Sequence, residues 1–183
     1  MFVADTARKT LAAERLCAVD ALEDAFVCYQ NELLGMLYHM IGNAEDARDA
    51  LQDTFVKCLR NQDKVGQIRN LKAWVFRIAL NTGRDSRQTA WRRRRKPLPE
   101  DETTIEGSHE GPEAQVEYNE QMAMVRRAVG ELRAEEQEVF LLRQNGQMTY
   151  DEIADTIGIP TGTVKTRMRL AISRLRETLA KTV

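Results

Sequence analysis

From Ala21 to Ile41 the larger apolar residues Leu22, Phe26, Tyr29, Leu33, Met36, Leu37, Met40 and Ile41 recur every three or four positions. That spacing lines one face of an α-helix. Gly42 stops the run, as a glycine past a helix C-terminus does. Asn43 stands where a side chain can cap a second helix, with Glu45 and Asp46 in its first turn. Ala47, Ala50, Leu51, Thr54, Phe55, Cys58 and Leu59 form the stripe of that helix. After the polar loop NQDKVGQIRN, Asn70 can cap a third helix with Leu71, Trp74, Val75, Ile78 and Ala79 inward, running toward the arginine block at 92. Gly83 interrupts it, lowering local helix propensity by up to about 1 kcal/mol. It reads as a bend or as a point of close approach to nucleic acid. Residues 1–20 read as an extension of the first helix.

The pattern lapses between Pro97 and residue 117, where prolines, glycines and acids leave few large apolar residues. Such a segment buries too little surface to offset its ordering entropy. It reads as a flexible linker between two lobes. Beyond it Met122, Val125, Val129 and Leu132 mark one helix, and Val139, Phe140 and Leu142 mark another that ends at Gly146. Thr149 and Glu152 have the spacing of a capping box on a short helix, TYDEIADTIG. The turn GIP leads into a long basic helix in which Val164, Met168, Ala171 and Leu175 face back. No segment alternates as a strand would. The expectation is an all-α chain of two small helical domains, the second carrying a helix-turn-helix. The expected divisions are an N-terminal extension (1–22), a first domain (23–96), an acidic linker (97–117) and a second domain (118–183).

Charge sharpens this division. Residues 1–96 carry 17 cations against 12 acids, residues 97–125 carry no cation and eight acids, and residues 126–183 carry ten cations against eight acids. A polyanion partner fits the two ends and not the middle. The three cysteines form no CxxC pair and the two histidines lie far apart, so neither a zinc site, another metal, a cofactor nor a disulfide framework is expected. Cys28 and Cys58 read as small buried hydrophobes. The chain lacks an apolar run long enough for a membrane span and opens without a signal-peptide h-region, so a cytoplasmic location is expected.

In a helix-turn-helix the second helix enters the major groove. Its outward side here shows Thr161, Lys165, Thr166, Arg167 and Arg169, residue types that reach base edges and phosphates. On the third helix, Lys72, Arg77, Asn81, Arg84, Arg87 and Gln88 precede Arg92, Arg93, Arg94, Arg95 and Lys96, a row suited to a phosphate backbone. Trp74 shares the inward stripe and reads as core, whereas Trp91 is open to either reading. The second helix differs: Asp46, Asp49, Gln52 and Asp53 repel phosphates and suit a protein contact or a solvated face.

Taken in order, DARDALQDTFVKCL, NLKAWVFRIALNTGRDSRQ, the acidic linker and LRAEEQEVFLLRQNGQMTYDEIADTIGIPTGTVKTRMRLAISRLRETL resemble the extracytoplasmic-function sigma factors of the sigma-70 superfamily. The resemblance covers about residues 23–96 and 118–180. It implies promoter recognition and DNA opening with bacterial core RNA polymerase, often in stress responses, without catalysis by the chain itself. It implies that Asp49, Gln52, Asp53 and Phe55 dock on the polymerase. It implies that the loop from Asn61, with Lys64 and Asn70, opens the downstream promoter element together with Lys72, Arg77, Asn81 and Arg84. Arg87 and Arg92 to Arg95 would hold phosphates. Thr161, Thr163, Lys165, Thr166, Arg167 and Arg169 would read the upstream element, although Arg169 and Leu170 depart from residues common in relatives. An anti-sigma factor is an implied partner, and the linker would lie in the polymerase channel as a nucleic-acid mimic; solubility of a disordered strand is the rival account.

Two other readings remain at this point. A sigma-like mimic that only sequesters an anti-sigma factor would not need Lys165, Arg167 and Arg169. A plain helix-turn-helix regulator would not need the acidic face around Asp49. An enzyme is disfavoured: no GxxxxGK[ST] loop is present, and Asp151 and Glu152, being neighbours, point to different faces of a helix.

Overall fold

The computed structural model describes residues 2–94 and 122–181, with side chains described for 19–89 and 122–181. Among them every regular element is helical. The first lobe comprises α1 (Phe2–Ile41), α2 (Ala44–Arg60), a 3-10 turn (Gln62–Gln67) and α3 (Leu71–Arg94). The second comprises α4 (residues 122–130), α5 (Ala134–Gln144), α6 (Tyr150–Ile157) and α7 (Thr161–Ala180). The expected linker, 97–117, lies outside the described residues. The expected extension at 1–20 continues α1 as one helix.

The local signals in the sequence act as their chemistry requires. Gly42 takes φ 81° and its N–H donates to the Tyr38 carbonyl at 2.8 Å, closing α1. Asn43 Oδ1 accepts from the N–H groups of Glu45 and Asp46 at 2.8 and 3.0 Å, and Asn70 Oδ1 accepts from the Ala73 N–H at 3.0 Å. Leu22, Leu33, Met36 and Leu37 are fully buried along α1. They meet the alanine face of α2, where Ala44, Ala47 and Ala50 allow close approach. Thr54, buried on the same face, donates its hydroxyl to the Ala50 carbonyl at 2.7 Å, so its burial leaves no orphan group.

The structure corrects several expectations. The buried stripe of α3 is Val75, Phe76, Ala79 and Leu80, with Leu71, Trp74 and Ile78 only partly covered. It is rotated from the expected stripe because α3 packs on α1 and α2 together. Gly83 is turned to the core: a Cβ there would meet Met40 Cε at 3.0 Å and Leu37 Cδ2 at 3.1 Å. The glycine therefore permits α3 to approach α1, rather than DNA. Cys28 is exposed while Cys58 is buried; two residues past Phe26, Cys28 falls on the opposite side of α1. Val125 is 38% exposed, since the burial of α4 and its exit lies at Ala128, Val129 and Leu132. In α5 Leu141 is buried and Phe140 only partly so. Within the polar loop the chain forms a 3-10 turn with no buried residue.

In the second lobe Val139, Leu141 and Leu142 of α5 pack with Ile153 and Ala154 of α6 and Val164, Met168 and Ala171 of α7. The α6–α7 turn uses Gly158 at φ 71°, with the N–H groups of Gly158 and Ile159 both donating to the Ala154 carbonyl at 2.8 and 3.1 Å. The lobes also touch one another, α1 against α5 and α3 against α6, and their buried residues join in one apolar cluster.

Candidate nucleic-acid and protein interfaces

On α2 the caps hold the helix so that Asp49, Gln52 and Asp53 project together as exposed residues. Phe55 lies off this row, half-buried, with its ring edge-on to Phe26 at 4.8 Å between centroids. Asp46 is half-buried at the start of the row.

Lys64, in the 3-10 turn, is exposed and donates from Nζ to Asn61 Oδ1 at 2.8 Å. Along α3, Arg77 and Asn81 are exposed. Lys72 sets its ammonium over the Tyr29 ring at 5.1 Å. Arg84 is engaged differently: its Nε and Nη2 donate to the two carboxylate oxygens of Glu138 on α5, each at 2.6 Å, and its Nη1 donates to Asn81 Oδ1 at 3.1 Å. The hydrogen bond to Glu138 raises the guanidinium pKa further, against a smaller opposing effect of burial. Arg87 donates to Gln137 Oε1 at 3.2 Å. Arg92, Arg93 and Arg94 lie on the last turn of α3 but their side chains, with Arg95, fall outside the described residues.

In the helix-turn-helix, Thr149 Oγ1 accepts from the Glu152 N–H at 3.3 Å, while Glu152 Oε2 accepts from the Thr149 N–H at 2.8 Å. The Thr149 N–H first, and then the Thr149 hydroxyl, which donates to the same Oε2 at 2.9 Å, hold the Glu152 carboxyl below the usual carboxylate range. The box fixes the start of α6, and the Gly158 turn then aims α7 outward. Lys165, Thr166 and Arg169 are exposed there, with Thr161, Thr163 and Arg167 half-exposed. Thr161 donates to Asp151 Oδ1 at 2.9 Å and Thr166 to the Gly162 carbonyl at 3.0 Å. An open groove of ≈ 490 Å³ runs beside Lys165 and Arg169, and Tyr150 and Arg176 also line it. Arg176 extends the cationic face beyond the residues expected from sequence; its outward register on α7 was the available signal.

The structure thus assembles three separate surfaces: the acid row of α2, the cations of α3 and the outward face of α7. The residues missed from sequence are Gln137 and Glu138, 3% and 4% exposed, because their burial depends on packing against a distant segment. No three or more His, Cys, Asp or Glu side chains gather as a metal site among the described residues. None of the helices there is long and apolar enough to cross a membrane. The Cys58 thiol is pushed up to about 12 by burial, which leaves it a packing residue.

Comparisons with known proteins identify both lobes. A model described as Sigma-70 region 2 matches residues 25–95, and one described as Sigma-70, region 4 matches residues 122–175. The RNA polymerase sigma-H factor of Pseudomonas aeruginosa is 31% identical over 165 residues, covering 84% of this chain and 81% of its own. The extracytoplasmic-function sigma factor EcfG of Rhodopseudomonas palustris is 28% identical, covering 85% and 83%. The fold is shared with CnrH, solved in complex with the cytosolic domain of CnrY, at 21% identity and a TM-score of 0.67 over 93% of this chain and 97% of that one. It is shared also with RpoE of Bartonella quintana, solved with the anti-sigma factor NepR, at 24% identity and a TM-score of 0.67 over 86% and 96%. Two sigma-70 regions in order on one chain, with a sigma-factor relative 31% identical over 81% of its own length, place this protein in the sigma-70 family as an extracytoplasmic-function sigma factor of bacterial RNA polymerase.

Proposed function

We propose that this sigma factor divides its work among the three surfaces. Asp49, Gln52 and Asp53 dock on core polymerase, with Phe55 bracing α2 from behind. Lys64, Asn70, Lys72, Arg77, Asn81 and Arg84 hold the unpaired strand of the downstream promoter element, and Arg87 with Arg92 to Arg95 holds adjacent phosphates. Thr161, Thr163, Lys165, Thr166, Arg167 and Arg169 read the upstream element in the major groove. The observation that carries this reading is the separation of charge: an exposed acid row on α2, and exposed cations on α3 and α7.

Opening DNA without nucleotide hydrolysis requires that captured bases and phosphates offset the disrupted base stacking. Cations and amides carried on and just before one helix supply such interactions with the backbone already ordered, leaving only side-chain ordering to be met on binding. The chain performs no covalent chemistry in this account and acts inside the cell with the polymerase. CnrH and RpoE, two solved chains that share its fold, were each captured with a second protein, NepR being an anti-sigma factor. An anti-sigma partner for this chain belongs to the same proposal. The test is run-off transcription: core polymerase supplemented with the purified chain yields discrete transcripts whose sequenced 5′ ends share upstream and downstream elements. Transcripts with the same start sites as core enzyme alone would overturn the reading.

A further inference from the structure

The contacts between the lobes concentrate on the helix assigned to strand capture. Glu138 is buried, with its side chain 6% exposed, and gives both carboxylate oxygens to Arg84 across the lobe boundary. Its neighbour Gln137 ties three helices: its amide nitrogen donates to the His39 carbonyl of α1 at 3.2 Å and the Val129 carbonyl of α4 at 3.1 Å, and its oxygen accepts from Arg87 of α3. At the other end of α3, Asn70 Nδ2 donates to Glu152 Oε1 of α6 at 3.2 Å. Behind them α1 approaches the end of α5 at Gly35, where a Cβ would stand 2.8 Å from Asn145 Nδ2. By contrast Glu136, equally buried, pairs with Arg174 inside its own lobe at 2.5 Å.

We propose that this is a closed, self-masking state in which Glu138 occupies Arg84 as a surrogate for a DNA phosphate. The proposal rests on the assignment of α3 as the strand-holding helix. A guanidinium fork fits a carboxylate and a phosphate in the same bidentate geometry. One fork cannot serve both, so closure and strand capture exclude one another at Arg84. The same closure engages Arg87 with Gln137 and Asn70 with Glu152. Burying the Glu138 carboxylate costs desolvation that its pairing with the half-exposed Arg84 largely offsets, and Glu138 regains water when the lobes part. The latch therefore selects one geometry yet stays reversible. Any partner that binds only the open form shifts the population toward it. For a sigma factor that partner is core polymerase, so the free chain binds single-stranded DNA more weakly than the docked one.

The test compares the full-length chain with Glu138→Gln, which keeps shape and removes the charge, and with Gly35→Trp, whose indole is too bulky to be cleared by a turn of the Asn145 side chain alone and which alters none of the proposed DNA or polymerase residues. Solution X-ray scattering reports the separation of the lobes, and fluorescence anisotropy reports binding of a labelled single-stranded oligonucleotide. Both variants are expected to show a larger radius of gyration and to bind the oligonucleotide at least about tenfold more tightly, as for an open state held at or below ~10% in the parent. Run-off transcription by the parent chain reports separately on the sigma assignment. Transcription by the parent, with either folded variant matching it in scattering and anisotropy, overturns the latch and leaves the assignment standing. Opening without tighter oligonucleotide binding overturns the surrogate role of Glu138. Should Glu138→Gln fail to fold, the Gly35→Trp result decides.

Discussion

Gly83 of α3 lies directly against Met40 of α1, close enough that a Cβ would come within 3.0 Å of the methionine Cε. The atoms it would meet on Met40 and Leu37 are the ends of flexible side chains. Gly83→Ala is therefore expected to change stability little, since helix propensity regains up to about 1 kcal/mol while Met40 shifts. Gly83→Val is expected to cost about 1–3 kcal/mol by overpacking. Urea unfolding of the pair checks this; equal midpoints for Val and Ala would show that the helices do not meet there.

The cap of α6 gives a pH prediction. The folded-state pKa of Glu152 lies below its ordinary 4.5, owing first to the Thr149 N–H and then to the Thr149 hydroxyl. For a depressed carboxyl, the stabilisation is present above the unfolded pKa and disappears as pH falls through the folded one. Wild type should exceed Glu152→Gln in thermal stability at pH 7, and the gap should close as pH drops below about 4.5. Thr149→Ala should cost about 1 kcal/mol at neutral pH. A gap between wild type and Glu152→Gln that does not vary with pH would contradict the capping account.

The acid row of α2 is tested by reversing its charge. Asp49→Lys with Asp53→Lys should weaken binding to core polymerase by about tenfold or more, as removing a pair of complementary rim charges worth some 1–2 kcal/mol would. Affinity for duplex promoter DNA should not fall. Titration of labelled core enzyme measures the first effect, and undiminished polymerase binding would remove the docking surface from α2.

The outward face of α7 predicts a separable defect. Lys165→Ala with Arg169→Ala should weaken binding to the upstream element by about 1–3 kcal/mol for each base-edge hydrogen-bonding side chain removed, and flatten its salt dependence. Footprinting across a salt series tests this, and an unaltered promoter profile would exclude α7 as the reader.

What could be read from the sequence was chiefly local. Asn43, Gly42, Gly158 and the Thr149–Glu152 box each act within a few residues, through chemistry that depends on neighbours in the chain. The helix-turn-helix and its outward cations followed from that punctuation. Packing between distant segments was not legible. Phe76 and Leu80 are buried because α3 touches several helices, so that a single stripe read from spacing misjudged its width. Cys28, off the apolar stripe of α1, and Val125, in register on α4, show the converse, apolar residues left exposed among the described residues. Glu138 and Gln137 look like ordinary surface residues of a charged helix, and only the meeting of segments 50 residues apart or more reveals their partners.

The division of labour between lobes is tested most directly by chemical probing of one promoter complex. With core polymerase and this chain, permanganate should modify unpaired thymines at the downstream element, while hydroxyl radicals find the upstream element protected. Arg77→Ala with Asn81→Ala should abolish the thymine reactivity and leave the upstream protection in place. Disappearance of both signals together, or of neither, would contradict the account that separate helices hold the promoter at two places.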